Sequence, residues 1–72
     1  MTTKTMAMDQ WAEMAEHEPR RTQREGQFWY NFLHLHRPDL ADQVRGNLDI
    51  DPFYEDSNLR AFFTYVYQHW YD

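Results

Sequence analysis

Four histidines, a single serine and the carboxylates between Asp49 and Asp56 are the residues that first suggest a reaction or a bound ion. None of them falls into a working pattern. His34 and His36 stand two apart on a helical stretch, so their side chains point about 200° from one another and do not grip one ion. His17 and His69 lie on other segments, and nothing in their spacing calls for a metal. Asp49, Asp51 and Glu55 look like the start of a calcium loop. The position that needs glycine holds Tyr54, however, and the terminal carboxylate position holds Arg60. They read instead as turn-capping groups. Ser57 falls at a helix start, and Gly26 and Gly46 are too far apart to form a phosphate-cradling loop. Paired carboxylates occur only in a loop that so small a chain cannot shield from water. The expectation is a protein with no catalysis, no cofactor and no metal.

The informative residue types are arginine and the aromatics. Charge runs acidic, basic, acidic along the chain. Asp9, Glu13, Glu16 and Glu18 come first, then Arg20, Arg21, Arg24 and Arg37, then Asp39, Asp42, Asp49, Asp51, Glu55 and Asp56. Arg20, Arg21 and Arg24 sit at or before a helix start, where the macrodipole disfavours positive charge by about 0.3–1 kcal/mol. Pairing with Glu16, Glu18 and Glu25 would compensate, and so would an acidic partner. Three arginines in a chain of net charge −5 are a thin signal for direct nucleic-acid binding, which is not expected. The acidic arc 39–56 reads as a solvated face or as an imitation of phosphate spacing.

The aromatic side chains comprise five phenylalanines, three tryptophans and five tyrosines, 18% of the chain. A domain of this size buries about 60% of its unfolded surface. The aromatic complement reads either as a heavy core that compensates for small size or as a surplus left for an interface, with a partner or with a second copy.

The elements that carry these residues all read as helical. After a tail at 1–5, the spacing of Ala7, Trp11, Met14 and Ala15 predicts a helix over about 6–18 that ends before Pro19. Thr22 with Glu25 reads as a capping box opening a second helix, about 22–36. Its core stripe is Phe28, Phe32 and Leu35, and Gly26 allows close approach of another helix. Asn31 is expected to bond the backbone of the 47–57 loop. Pro38 opens a third helix, about 38–45, with Leu40, Ala41 and Val44 inward and Gly46 as the left-handed residue after its end. Asp51-Pro52 suggests a short helical turn with Phe53 plugged into the core. Ser57 or Asp56 caps a last helix, about 58–71, whose stripe is Leu59, Phe63, Val66 and Trp70. The expected fold is all-α, a compact single domain of three or four helices with short loops.

With 72 residues and no cysteine the chain has no disulfide or thiol chemistry, and no apolar run approaches the roughly 20 residues a bilayer requires. A cytosolic setting, with no signal peptide and no membrane partner, is the expectation.

Arg24-Glu25-Gly26-Gln27 with Asn31, Arg37-Pro38-Asp39-Leu40, Arg45-Gly46, Asp51-Pro52-Phe53-Tyr54 with Asp56, and Leu59 to Phe62 together resemble a pattern in small, mostly uncharacterised proteins of bacteria and their phages. The resemblance covers about residues 24–66. It carries over no activity and no site residues. It implies only a phage-type protein that binds and modulates a host protein. On the residues themselves, the leading expectation is a protein-interaction module. It would dock through Trp29, Tyr30, Tyr65, Tyr67 and Tyr71, with Arg20, Arg21 and Arg24 setting orientation. The competing expectations are an acidic DNA mimic that blocks a nucleic-acid-binding protein, and a structural homo-oligomer such as a homodimer.

Overall fold

In a computed structural model that describes residues 6–71, the chain folds as four α-helices with no strand among those residues. They are α1 (Met8–Glu16), α2 (Glu25–His36), α3 (Pro38–Val44) and α4 (Leu59–His69), with one 3-10 turn, Asp56–Asn58, leading into α4. The all-α expectation holds, and the predicted tail at 1–5 lies outside the described residues. Every helix is shorter than its sequence pattern suggested.

Aromatic packing across three helices makes the core. Trp11 of α1, Phe28, Phe32 and Leu33 of α2, Leu40, Ala41 and Val44 of α3, and Phe62, Val66 and Trp70 at α4 are all buried. The Trp11 ring lies 5.2 Å from Trp70, 5.2 Å from Trp29 and 5.8 Å from Phe32, so α1 is docked on the bundle. Offset and edge-on pairs of this kind contribute about 0.5–1.5 kcal/mol each beyond area burial. The Trp11 indole N–H has no acceptor among the described residues, which offsets part of that gain. The Trp70 indole N–H donates to the Met6 carbonyl at 2.5 Å, and the Met8 amide donates to the Tyr71 hydroxyl at 3.4 Å.

Several expectations are corrected here. Of the α1 stripe only Trp11 and Ala15 are buried, while Ala7 and Met14 face water. Leu35 is 69% exposed and Tyr30 is only 7% exposed. The cause is the one-residue corner at Arg37, which swings α3 against the Tyr30 and Leu33 side of α2. The buried stripe of α2 therefore rotates away from Leu35. On α4 the most buried side chains are Phe62, Val66 and Trp70, and Leu59 and Phe63 pack at their edge.

The largest correction concerns how α2 begins. Thr22 forms no capping box, since Arg24 is the N-cap residue and offers no side-chain bond. The cap comes instead from 30 residues further on, where Asp56 Oδ1 accepts the Gly26 amide at 3.0 Å. Asp56 thus caps α2 and not its own helix, and Ser57 bonds Glu55. Gly26 admits this loop, not another helix. A Cβ there would meet the Pro52 carbonyl oxygen at 2.1 Å and Asp56 Oδ1 at 2.6 Å. Pro52 is the fully buried plug of the loop, and Phe53 is half-buried beside it.

Gly46 does take the expected left-handed conformation, at φ 77°, with open space around it. The two glycines therefore respond differently to alanine. Gly26→Ala, which forces backbone apart, should lower stability by about 3 kcal/mol. Gly46→Ala, which meets only the left-handed penalty, should lose about 1 kcal/mol, and Gly46→Asn less. Urea unfolding followed by circular dichroism reads both, and equal losses would contradict the assigned close approach.

Candidate interaction surface

The sequence-predicted arginines do not form one docking patch. Arg20 is folded back onto the chain. Its guanidinium donates to Glu25 at 2.9 and 3.4 Å and to the carbonyls of Ala15 and Glu18, and it lies 3.9 Å from the Phe28 ring centroid. It closes the open carbonyl end of α1 and ties it to the start of α2. Arg24 donates to Asp56 at 2.9 Å and to the Phe53 carbonyl at 2.6 Å, which fastens the 52–56 loop over α2. Arg21 is exposed, in a left-handed conformation at φ 58°, at the rim of a groove shared with Phe28, Phe32 and Leu35. A fourth arginine, Arg37, does similar structural work. It grips Asp39 through two nitrogens and donates to the Trp70 carbonyl at 2.6 Å, closing the end of α4.

The predicted aromatic set is divided in the same way. Tyr30 belongs to the core, with its hydroxyl donating to the Ala41 carbonyl at 3.4 Å. Trp29 is half-buried, edge-on to Trp11, Phe28 and Phe63. Tyr65 is half-buried too, and its hydroxyl donates to Gln43 Oε1 at 2.6 Å. Only Tyr67 and Tyr71, each 68% exposed near the end of α4, match the expected open surface.

A different surface stands out, one that no spacing in the sequence marks. Leu48 is 87% exposed and Tyr54 is 82% exposed, and both line one groove with Asp51, Glu55 and Asn58. Asp51 and Tyr54 also line an adjoining recess of about 270 Å³ with Tyr30, Arg45 and Phe53. The loop that presents these side chains is tightly hydrogen-bonded. Asp51 accepts the amides of Gly46 and Phe53, both at 2.9 Å, one through each carboxylate oxygen. The Asn47 carbonyl accepts the amides of Ile50 and Asp51. Asn58 donates its side-chain amide to the carbonyls of Leu48 and Asp51, each at 2.9 Å. Asn58 thus makes the loop bond expected of Asn31, which is exposed on α2. Leu48 and Tyr54 are held out to solvent on a turn already fixed in place, which lowers the ordering cost of binding.

The acidic arc is partly neutralised by the chain itself. Asp39 pairs with Arg37, Asp56 with Arg24, and both Asp51 oxygens are taken by amides. Asp42, Asp49 and Glu55 have no cation at ion-pair distance among the described residues, and Glu55 accepts from Ser57. These carboxylates lie along the same 42–55 stretch as Leu48 and Tyr54. Among the described residues, no cluster of three His, Asp or Glu side chains offers a metal site. No described helix is long and apolar enough to cross a membrane. No protein-family model, curated protein or solved structure matches the chain.

Two of the arginine contacts have a titration signature. Hydrogen bonds from Arg20 hold the Glu25 carboxyl below its usual value of 4.5, and those from Arg37 hold Asp39 below 3.8. Each contributes stability in full above its unfolded value and loses it as pH falls through the lower folded value. Urea denaturation from about pH 6 down to about pH 3 should therefore show a declining stability. The decline should be shallower in the Arg20→Met, Arg37→Met double variant, whatever its absolute stability. An unchanged slope would sink the assignment.

Proposed function

We propose that the protein is a non-catalytic protein-interaction module that docks a basic partner protein through its 46–56 loop. The observation that carries the reading is the presentation of Leu48 and Tyr54. Two large apolar side chains stand 87% and 82% exposed on a backbone pinned by Asp51 and Asn58. A scattered surface leucine needs no explanation. A leucine and a tyrosine flanking one groove on a preorganised turn have the make-up of an interface anchor. The carboxylates of Asp42, Asp49 and Glu55 along the same stretch supply the charge preference, since they favour lysine and arginine around the partner's contact. The resemblance to small phage and bacterial proteins supports a host protein as that partner, bound in the cytosol and modulated by being covered.

The DNA-mimic reading is weaker on physical grounds. Three of the six carboxylates in its arc already bond arginines or backbone amides, leaving too few to imitate a phosphate row. Tyr67 and Tyr71 remain the surface best suited to a homodimer.

The test is affinity capture from host lysate with the wild type and with Leu48→Asp, Tyr54→Ala and Tyr67→Ala. A stoichiometric partner of high isoelectric point is expected on the wild type and on Tyr67→Ala. Leu48→Asp or Tyr54→Ala should weaken its binding by about 2 kcal/mol, near 30-fold. Capture that survives both loop substitutions, or that duplex DNA abolishes, would overturn the reading. Sedimentation as a dimer lost on Tyr67→Asp would favour the homo-oligomer.

A further inference from the structure

The connection between α1 and α2 is fixed at two points and strained between them. Arg20 donates back to the Ala15 and Glu18 carbonyls and forward to Glu25, and its guanidinium lies on the Phe28 ring. Arg24 is tied to Asp56 and to the Phe53 carbonyl. Arg21, Thr22 and Gln23 alone join these anchors. To make the turn Arg21 takes φ 58°, and it is the one residue besides glycine with positive φ among those described. A left-handed arginine is disfavoured because its Cβ crowds the following carbonyl oxygen. In return the turn makes a backbone bond from the Gln23 amide to the Arg20 carbonyl at 3.0 Å.

The helix that this turn folds back is held by few groups. Trp11 and Ala15 are the buried side chains of α1. Trp11 fills a socket of Trp29, Phe32 and Trp70, with ring centroids 5.2, 5.8 and 5.2 Å away. Bonds from Trp70 to Met6 and from Met8 to Tyr71 hold one end, and the contacts of Arg20 with Glu25 and Phe28 hold the other. Each of these joins residues 6–20 to the body of the molecule across the three-residue connection. A second copy carries the same helix and the same socket. The same contacts therefore form equally well between copies. What exchange loses is the Gln23–Arg20 bond, and what it relieves is the conformation of Arg21.

We infer that residues 6–20 exchange between two copies of this chain, each docking its Trp11 in the other's socket, with residues 21–23 as an extended hinge. A short connection held in strain favours this route to a dimer, since opening it costs no contact of the exchanged segment. The 46–56 loop lies outside that segment, so the dimer carries two copies of the candidate surface on one particle. A partner with repeated sites would meet both at once.

The protein is to be refolded from urea at high and at low concentration and separated by size, because exchange requires α1 to leave its own socket. A dimer is expected at high concentration. When isotope-labelled and unlabelled chains are refolded together, filtered NOE spectra should place the Trp11 ring of one copy against Trp70 and Phe32 of the other. A dimer closed by the α4 tyrosines keeps those contacts within each chain. It is also broken by Tyr67→Asp, which should leave the exchanged dimer intact. Arg21→Asn accepts the left-handed conformation and should lower the dimerisation constant about 5-fold for each hinge, whereas Arg21→Val should raise it by a similar factor. Both substitutions fall on an exposed side chain and leave the core unchanged. A monomer at every concentration in the wild type and in Arg21→Val overturns the inference. So does a dimer whose Trp11 contacts stay within one chain, or a dimerisation constant that ignores residue 21.

Discussion

The approach of the 52–56 loop to the first turn of α2 is the contact on which the rest of the molecule depends. Gly26 has no side chain, so the Pro52 carbonyl and the Asp56 carboxylate can sit where any other residue would put a Cβ. That carboxylate supplies the missing cap of α2 and binds Arg24, whose other nitrogen reaches the Phe53 carbonyl. One exchange of groups therefore satisfies a helix start and anchors a loop. The loop, once anchored, buries Pro52, brings Phe53 against Tyr30 and leaves Tyr54 and Leu48 outside. The candidate surface is a by-product of how a short helix solved its end.

Arginine is the recurring device by which the short helices are closed. Helices of 7–12 residues leave a large share of their amides and carbonyls unpaired. Arg20 reaches the last carbonyls of α1, Arg37 reaches the carbonyl of Trp70, and Arg24 reaches the loop. The basic stretch of an acidic chain is thus mostly internal scaffolding, placed where a rigid fork can bond a carbonyl and a carboxylate together. The acidic arc loses Asp39 and Asp56 to these arginines and Asp51 to backbone amides, and what remains outward is a mixture of apolar side chains and a few carboxylates.

Local signals in the sequence were reliable wherever the partner of a residue lies within one turn. Pro38 opens α3, Gly46 turns left-handed after it, and Leu40, Ala41 and Val44 face inward as their spacing requires. Signals failed where the partner is far along the chain. The Thr22–Glu25 pair has the spacing of a capping box, but Arg20 claims Glu25 and Asp56 claims the cap. Tyr30 looks amphipathic enough for a surface, and only the sharp corner at Arg37 puts α3 over it. No spacing marks Leu48 and Tyr54 as exposed, because an irregular stretch has no periodicity from which to read a face. Their exposure follows from hydrogen bonds by Asp51 and Asn58 that no spacing rule announces.

The two ends of the described chain meet. Trp70 donates to the carbonyl of Met6, and the amide of Met8 donates to the hydroxyl of Tyr71, across separations of 64 and 63 residues. Topologically the fold is nearly a ring. Joining those ends by a short linker would close it at little entropic cost, and new ends could be opened at an exposed connection such as the one after Glu18. By the same reasoning the whole unit suits insertion into a surface loop of another protein, entering and leaving at a single point as a pendant does.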